Sequence, residues 1–236
     1  MKQLSSIFLS GIVLFFVSCS GSGTEDKKAA DSTATTVTAP APAPFKPFDV
    51  AVIKHKVKNF DKWKVAYLSH DSVRKAYGLT DAGLSRGLKD SNTVIVTELV
   101  SDVQKAKEFS MLPNLKEAMK KGGVVGAPTF DFIHVIRYDT TKANNPNRLE
   151  VVHKVKDFSA WLKVFDNEGS ATRAGYGMVD KGLARGIDDS TMVYILFVVT
   201  DTAKAMARGN SPELKKIMTD AGVVGAPRID MFKDEQ

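Results

Sequence analysis

The phrase GVVGAP occurs twice, at 123–128 and at 222–227, and it belongs to a longer duplication. HKVKNFDKW at 55–63 returns as HKVKDFSAW at 153–161, and GLSRGLKDS at 83–91 returns as GLARGIDDS at 182–190. The offset is 98 residues near the two tryptophans and 99 from about residue 74 onward, so one indel separates the copies. Two copies of about ninety residues make a duplicated domain; a solenoid needs at least three shorter units. Whatever one copy folds into, the chain must build it twice and join the two.

Each copy reads strand, helix, strand, strand, helix, strand. Val50–Val57 alternates Ala51, Ile53, His55 and Val57 against Val52, Lys54 and Lys56, which is the period of a strand. Asp61 to Tyr77 sets Trp63, Tyr67, His70 and Tyr77 on one helical stripe. GLSRGLKD is a short strand with glycines, TVIVTELV a β-branched one, and its counterpart MVYILFVV is apolar enough to be buried on both faces. Ser101-Asp102 and Thr200-Asp201 supply caps for a second helix; SPELKKIMTDAG adds Ser211 as cap, Pro212 at the first position and Gly222 past the end. A final strand follows each proline. GVVGAP is therefore the joint between last helix and last strand. It has no lysine and no strand-to-helix setting, so it does not suit a phosphate loop.

Outside the repeats, residues 1–18 read as a signal peptide: Lys2, then an apolar run from Ile7 to Val17, too short to span a bilayer as a helix. The stretch FVSCS resembles a bacterial lipobox, which implies that Cys19, the single cysteine, carries a lipid and begins the mature chain. With no second cysteine there is no internal disulfide. Residues 19–47 are rich in Ser, Thr, Ala and Pro with a few charges, a linker that cannot bury enough apolar surface to order itself. The expected organisation is a lipid tether facing the periplasm or the cell surface, a stalk, and two repeats at 48–140 and 149–234. A net charge of +6 from scattered lysines argues against a nucleic-acid surface, as does export.

The β-α-β-β-α-β order is the ferredoxin-like arrangement, which makes the chain α+β. With the repeat length, the Phe-x-x-Trp opening of each first helix (Phe60–Trp63, Phe158–Trp161) and the SPELK…AGVVGAP ending, both copies resemble the dimeric α/β-barrel superfamily, in its antibiotic-biosynthesis-monooxygenase-like branch. The resemblance implies that the tandem copies close into an intramolecular pseudo-dimeric barrel, with a ligand pocket in each half between sheet and helices. The branch includes cofactor-independent monooxygenases, haem-degrading enzymes, isomerases, cyclases and proteins without known activity. No cofactor is called for. The haem-degrading members use an Asn-Trp-His set; His70 lies on a helix, but its counterpart is Glu168 and His55 stands where the asparagine would be.

The polar residues expected at such a pocket are His55 and His153 on the first strands, His70 and Glu168 on the first helices, and Arg86 and Arg185, each alternating with apolar residues on a second strand. A neutral histidine suits a general base near pH 7, and an arginine among apolar neighbours is either paired with an acid or waiting for an anion. Trp63, Tyr67, Trp161 and Phe165 would line the same space and contact a small apolar or aromatic ligand. All of these residues equally suit a packed core. A non-catalytic structural or interaction lipoprotein with filled pockets therefore stands beside the ligand-binding reading. Asp131 and Asp230 recur on the last strands, where an aspartate is usually exposed. No Gly-x-Ser-x-Gly elbow and no metal-ligand spacing is present. Divergence between copies (His70 against Glu168, Glu98 against Phe197) limits a working site to one half.

Overall fold

A computed structural model describes residues 45–235. The segment expected to be a signal peptide, Cys19 and almost all of the expected linker lie outside the described residues. The first repeat consists of β1 (Phe48–Val57), α1 (Phe60–Ser69), α2 (Asp71–Ala76), β2 (Leu79–Gly87), β3 (Thr93–Val100), α3 (Val103–Met111), α4 (Pro113–Lys121) and β4 (Val124–Tyr138). The second consists of β5 (Asn147–Val155), α5 (Phe158–Glu168), α6 (Ser170–Gly175), β6 (Met178–Gly186), β7 (Met192–Val199), α7 (Thr202–Gly209), α8 (Pro212–Asp220) and β8 (Val223–Asp234).

The α+β ferredoxin-like order read from the sequence is present in both repeats, with every helical segment broken in two. Asp61–Tyr77 does not run as one helix: it stops at His70, whose backbone leaves the helical region, and in the second repeat at Gly169 with φ +79°. Pro113 and Pro212 impose the other breaks, because proline has no N–H to continue a preceding helix. The caps fall where the sequence places them. Asp102 and Asp201 accept from the amides of Lys105 and Lys204, and Ser211 from that of Leu214. GVVGAP does join helix to strand, through Gly123 and Gly222 at φ +85° and +83°. The strand begins earlier than expected, however. Val124 already pairs with Val57, and the register then shifts before Thr129 meets Lys54, so Gly126 (φ +75°) and Pro128 lie in a bulge within β4.

All eight strands pair antiparallel, and their order, β1-β3-β2-β8-β5-β7-β6-β4, returns to β1. β4 bonds to β1 on one side and β6 on the other, and β8 bonds to β5 and β2, so each repeat's last strand stitches it to the other repeat. Alternation then sorts the core into three clusters. Ala51, Ile53 and Val57 face the first repeat's helices, where Phe60 and Trp63 meet them; Leu149, Val155, Ile195 and Phe197 pack likewise with Trp161. Val50, Val52, Ile133, Val152 and Phe232 form a third cluster on the opposite face of the sheet. β7 is buried on both faces, as its composition requires.

That opposite face also carries charge, contrary to the expectation that Asp131 and Asp230 are exposed. Their side chains are only 23% and 22% accessible and are ion-paired: Arg228 bonds to Asp131 at 2.8 Å and approaches Asp230 at 3.4 Å, and Lys54 pairs with Asp230. Glu150 lies 3.5 Å from Arg228, and burial pushes its carboxyl up to about 7. A bulged strand turns these aspartates inward, where only paired charges are tolerated.

Candidate functional site

In the second repeat the first strand and first helix build one wall of a cavity. β5 alternation turns His153 toward α5, where its ring meets Trp161 edge-on at 5.4 Å. Trp161 stacks on Phe165 at 5.2 Å and 20°, four residues along the same helical stripe. The cavity has a volume of 730 Å³: Leu149, Ile195, Phe197, Met178, Ile217 and Met218 supply apolar surface to its part between sheet and helices, and it extends to Lys54, Ile95, Arg228 and Asp230 of the opposite face. His153 is 4% exposed, and neither ring nitrogen has a hydrogen-bond partner. Burial lowers its pKa to about 4, so the imidazole is neutral, with one nitrogen to donate and one to accept.

Glu168 also lines this cavity, but held in place. It accepts from Arg208 of α7 at 2.9 Å and from Arg173 of α6 at 3.4 Å. Arg173 in turn forks onto Asp180 at 2.6 and 2.7 Å, donates to the Phe165 carbonyl at 2.7 Å, and lies over the Phe165 ring at 3.8 Å. These cations are satisfied by their own acids. The cavity therefore presents an apolar interior, a neutral imidazole and a neutralised ion network.

The first repeat uses the same positions differently. His55 packs on Trp63 at 5.2 Å, and Trp63 stacks on Tyr67 at 5.1 Å and 17°. The floor is Glu98, the counterpart of Phe197, and it is wholly buried. Tyr67 donates to Glu98 at 2.7 Å, and the Arg74 guanidinium lies 2.8 Å from the same carboxylate and 3.8 Å from the Tyr67 ring centre. Burial pushes Glu98 above the usual carboxylate range, opposed by the Tyr67 hydrogen bond and by Arg74; burial, with Glu98 beside it, pushes Tyr67 up as well. The remaining space is only 70 Å³. His55, like His153, has unpartnered ring nitrogens and a pKa lowered to about 4 by burial. His70 borders this space with Nδ1 2.9 Å from the Ala66 carbonyl, in a volume far too small for a tetrapyrrole.

The structure thus brings His55, Trp63, Tyr67 and His70 together in one half and His153, Trp161, Phe165 and Glu168 in the other. Arg86 and Arg185 are placed elsewhere. Arg86 donates through Nε to the Ser91 carbonyl at 2.6 Å and covers Phe60 at 4.1 Å; Arg185 does the same with Ser190 at 2.8 Å and Phe158 at 4.1 Å. A Cβ on Gly87 or Gly186, the next residue in each case, would sit within 2.7 Å of a carbonyl of the same hairpin. Each arginine therefore ends its strand pinned to a tight turn, outside the cavities. Arg74 and Arg173, two of the cations that do reach the pockets, were legible only as a recurring Arg–Asp set: Asp81 and Asp180 follow them at equal spacing. Among the described residues no cluster of three or more His, Cys, Asp or Glu could hold a metal, and no helix is long and apolar enough to cross a membrane.

No protein-family model matches the chain, and neither does any curated protein. Solved structures do. A monooxygenase candidate from Fusobacterium nucleatum superposes with a TM-score of 0.50 at 14% identity, over 80% of this chain and 93% of the other. An anthrone oxidase-like protein gives 0.51 at 10% identity, over 80% and 92%. A candidate chlorite dismutase gives 0.50 at 13% identity, over 81% and 96%. Likeness at these identities is a likeness of fold.

Proposed function

We propose that the chain is a lipid-anchored envelope protein whose tandem repeats form an intramolecular pseudo-dimer, and that its second repeat binds a small, largely apolar ligand between sheet and helices. One observation carries this reading: a neutral histidine with two unpartnered nitrogens faces a 730 Å³ apolar cavity. A buried polar group without a partner costs free energy unless something meets it. A ligand with an apolar body and one neutral oxygen, hydroxyl or carbonyl, supplies what His153 lacks. The same imidazole can donate its N–H to the carbonyl of an enolisable ligand, the group on which a cofactor-independent oxygenase, isomerase or cyclase would act. The first repeat is the filled counterpart. Its Tyr67–Glu98–Arg74 set occupies the equivalent space, so that half fits the structural reading.

Titrating 2-naphthol against tryptophan fluorescence tests the site. His153→Phe should weaken binding about tenfold, the loss of one hydrogen bond of about 1–1.5 kcal/mol, while naphthalene is unaffected. His70→Phe, which borders only the first half's small space, should leave both affinities unchanged. Equal weakening by the two substitutions, or no saturable binding at all, would return the protein to the filled-pocket interaction class.

The anchor is tested separately. Cys19→Ala should move the protein from the membrane pellet to the soluble fraction of lysed cells, and continued sedimentation with membranes would remove the lipid tether from this reading.

A further inference from the structure

Comparing the two halves adds a ligand class to that reading, on which it rests. The second-half cavity is bordered by the first repeat's hairpin between β2 and β3, through Gly87, Lys89 and Asp90, and by Met206 on α7. Lys89 and Met206 are both exposed, so they mark where the cavity meets solvent. The other cations along this cavity are spoken for: Lys54 by Asp230, Lys56 by Asp90, Arg173 and Arg208 by Glu168, Arg228 by Asp131. Lys89 alone among them has no ion pair with a described residue.

In the first half the corresponding positions are Asp188 and Lys107, 99 residues away in each case. They form an ion pair from one repeat to the other, and Lys107 also lies 6.0 Å from the Phe132 ring centre. That pair ties α3 across to the β6–β7 hairpin. In the second half the acid has become Lys89 and the lysine has become Met206, so the tie is replaced by an apolar lip and a lone positive charge.

We infer that the second-half cavity selects an amphipathic acid, with its apolar body inside, a neutral oxygen toward His153, and its carboxylate held at the entrance by Lys89. An entrance is the right place for that charge, because a carboxylate left partly in water avoids the desolvation cost it would meet inside. A solvent-exposed pair is also weak and screened by salt, so Lys89 contributes selectivity rather than most of the affinity.

The test compares 6-hydroxy-2-naphthoic acid with 2-naphthol on the full-length protein. The acid should bind about three- to tenfold more tightly at low salt, as one exposed ion pair allows. That preference should vanish in Lys89→Gln and in 0.5 M sodium chloride, with 2-naphthol unchanged, and should invert in Lys89→Asp. The double substitution Lys89→Asp/Met206→Lys should recreate the first half's tie and weaken both probes. If 2-naphthol binds but the acid has no salt-sensitive advantage, or keeps it in Lys89→Gln, this inference falls while the cavity reading stands. If neither probe binds, both fall together.

Discussion

Arg74→Met is expected to destabilise the protein by about 3–5 kcal/mol, while Arg74→Met combined with Glu98→Leu should restore most of that loss. The arginine and glutamate side chains are 5% and 1% accessible and lie 2.8 Å apart. Removing the cation leaves Glu98 with only Tyr67 as a donor, in a space that water does not reach. The carboxylate must then either stay charged without a counterion or take up a proton at neutral pH, and both are costly. Replacing both partners with apolar groups removes the charge and the demand together, and the second repeat shows that Phe197 is accommodated at the Glu98 position. Urea denaturation of the wild type, the single and the double variant measures this directly. A single variant within about 1 kcal/mol of wild type would mean that the pair does not hold the first half closed.

The duplication made most of the fold legible, because an element that recurs at a fixed offset must serve the same packing role twice. The face of His55 and His153 followed from strand alternation, and the cavities lie where those faces meet the helices. What stayed hidden depends on local geometry that residue type does not encode. The stop at His70 is a backbone event inside a periodic apolar stripe. Arg86 alternates correctly with Leu84, yet the hairpin that Gly87 permits draws its side chain to the Ser91 carbonyl. Asp131 and Asp230 looked like solvent-facing residues on end strands; since each end strand bonds to both repeats, the face they occupy is an interior one. Lys89 drew no notice because a lysine in a hairpin is ordinary. Only the cavity that Lys89 borders together with exposed Met206 shows that its position is an entrance.

Duplication also explains how the two halves could part. In a dimer of identical chains, any residue that fills one pocket fills both. Here Glu98 and Tyr67 close one half through a buried polar set, while Phe197 and Phe165 keep the other apolar. Stability and binding can then be carried by different copies of the same scaffold.

The histidines that this scaffold buries should make its stability fall with acid, and replacing them should reverse that trend. His55 and His153 have folded pKa values of about 4 against an unfolded value of 6.5. Between those limits the unfolded chain binds protons that the folded chain refuses, so their contribution is present above pH 6.5 and is lost as pH falls toward 4. From pH 7 to pH 5 each histidine should cost about 2 kcal/mol. Glu150 opposes them. Its folded pKa is about 7 against 4.5 unfolded, so the folded state holds the extra proton and gains about 2 kcal/mol over the same interval. Glu98, also raised by burial, pulls in the same direction as Glu150. Wild type should therefore lose about 2 kcal/mol on going from pH 7 to pH 5, and His55→Phe/His153→Phe should become more stable over that interval. Urea midpoints of both proteins at pH 5, 6 and 7 decide the matter. Parallel pH profiles would mean that the two imidazoles are solvated or paired in solution, and the unpartnered His153 on which the binding site rests would lose its basis.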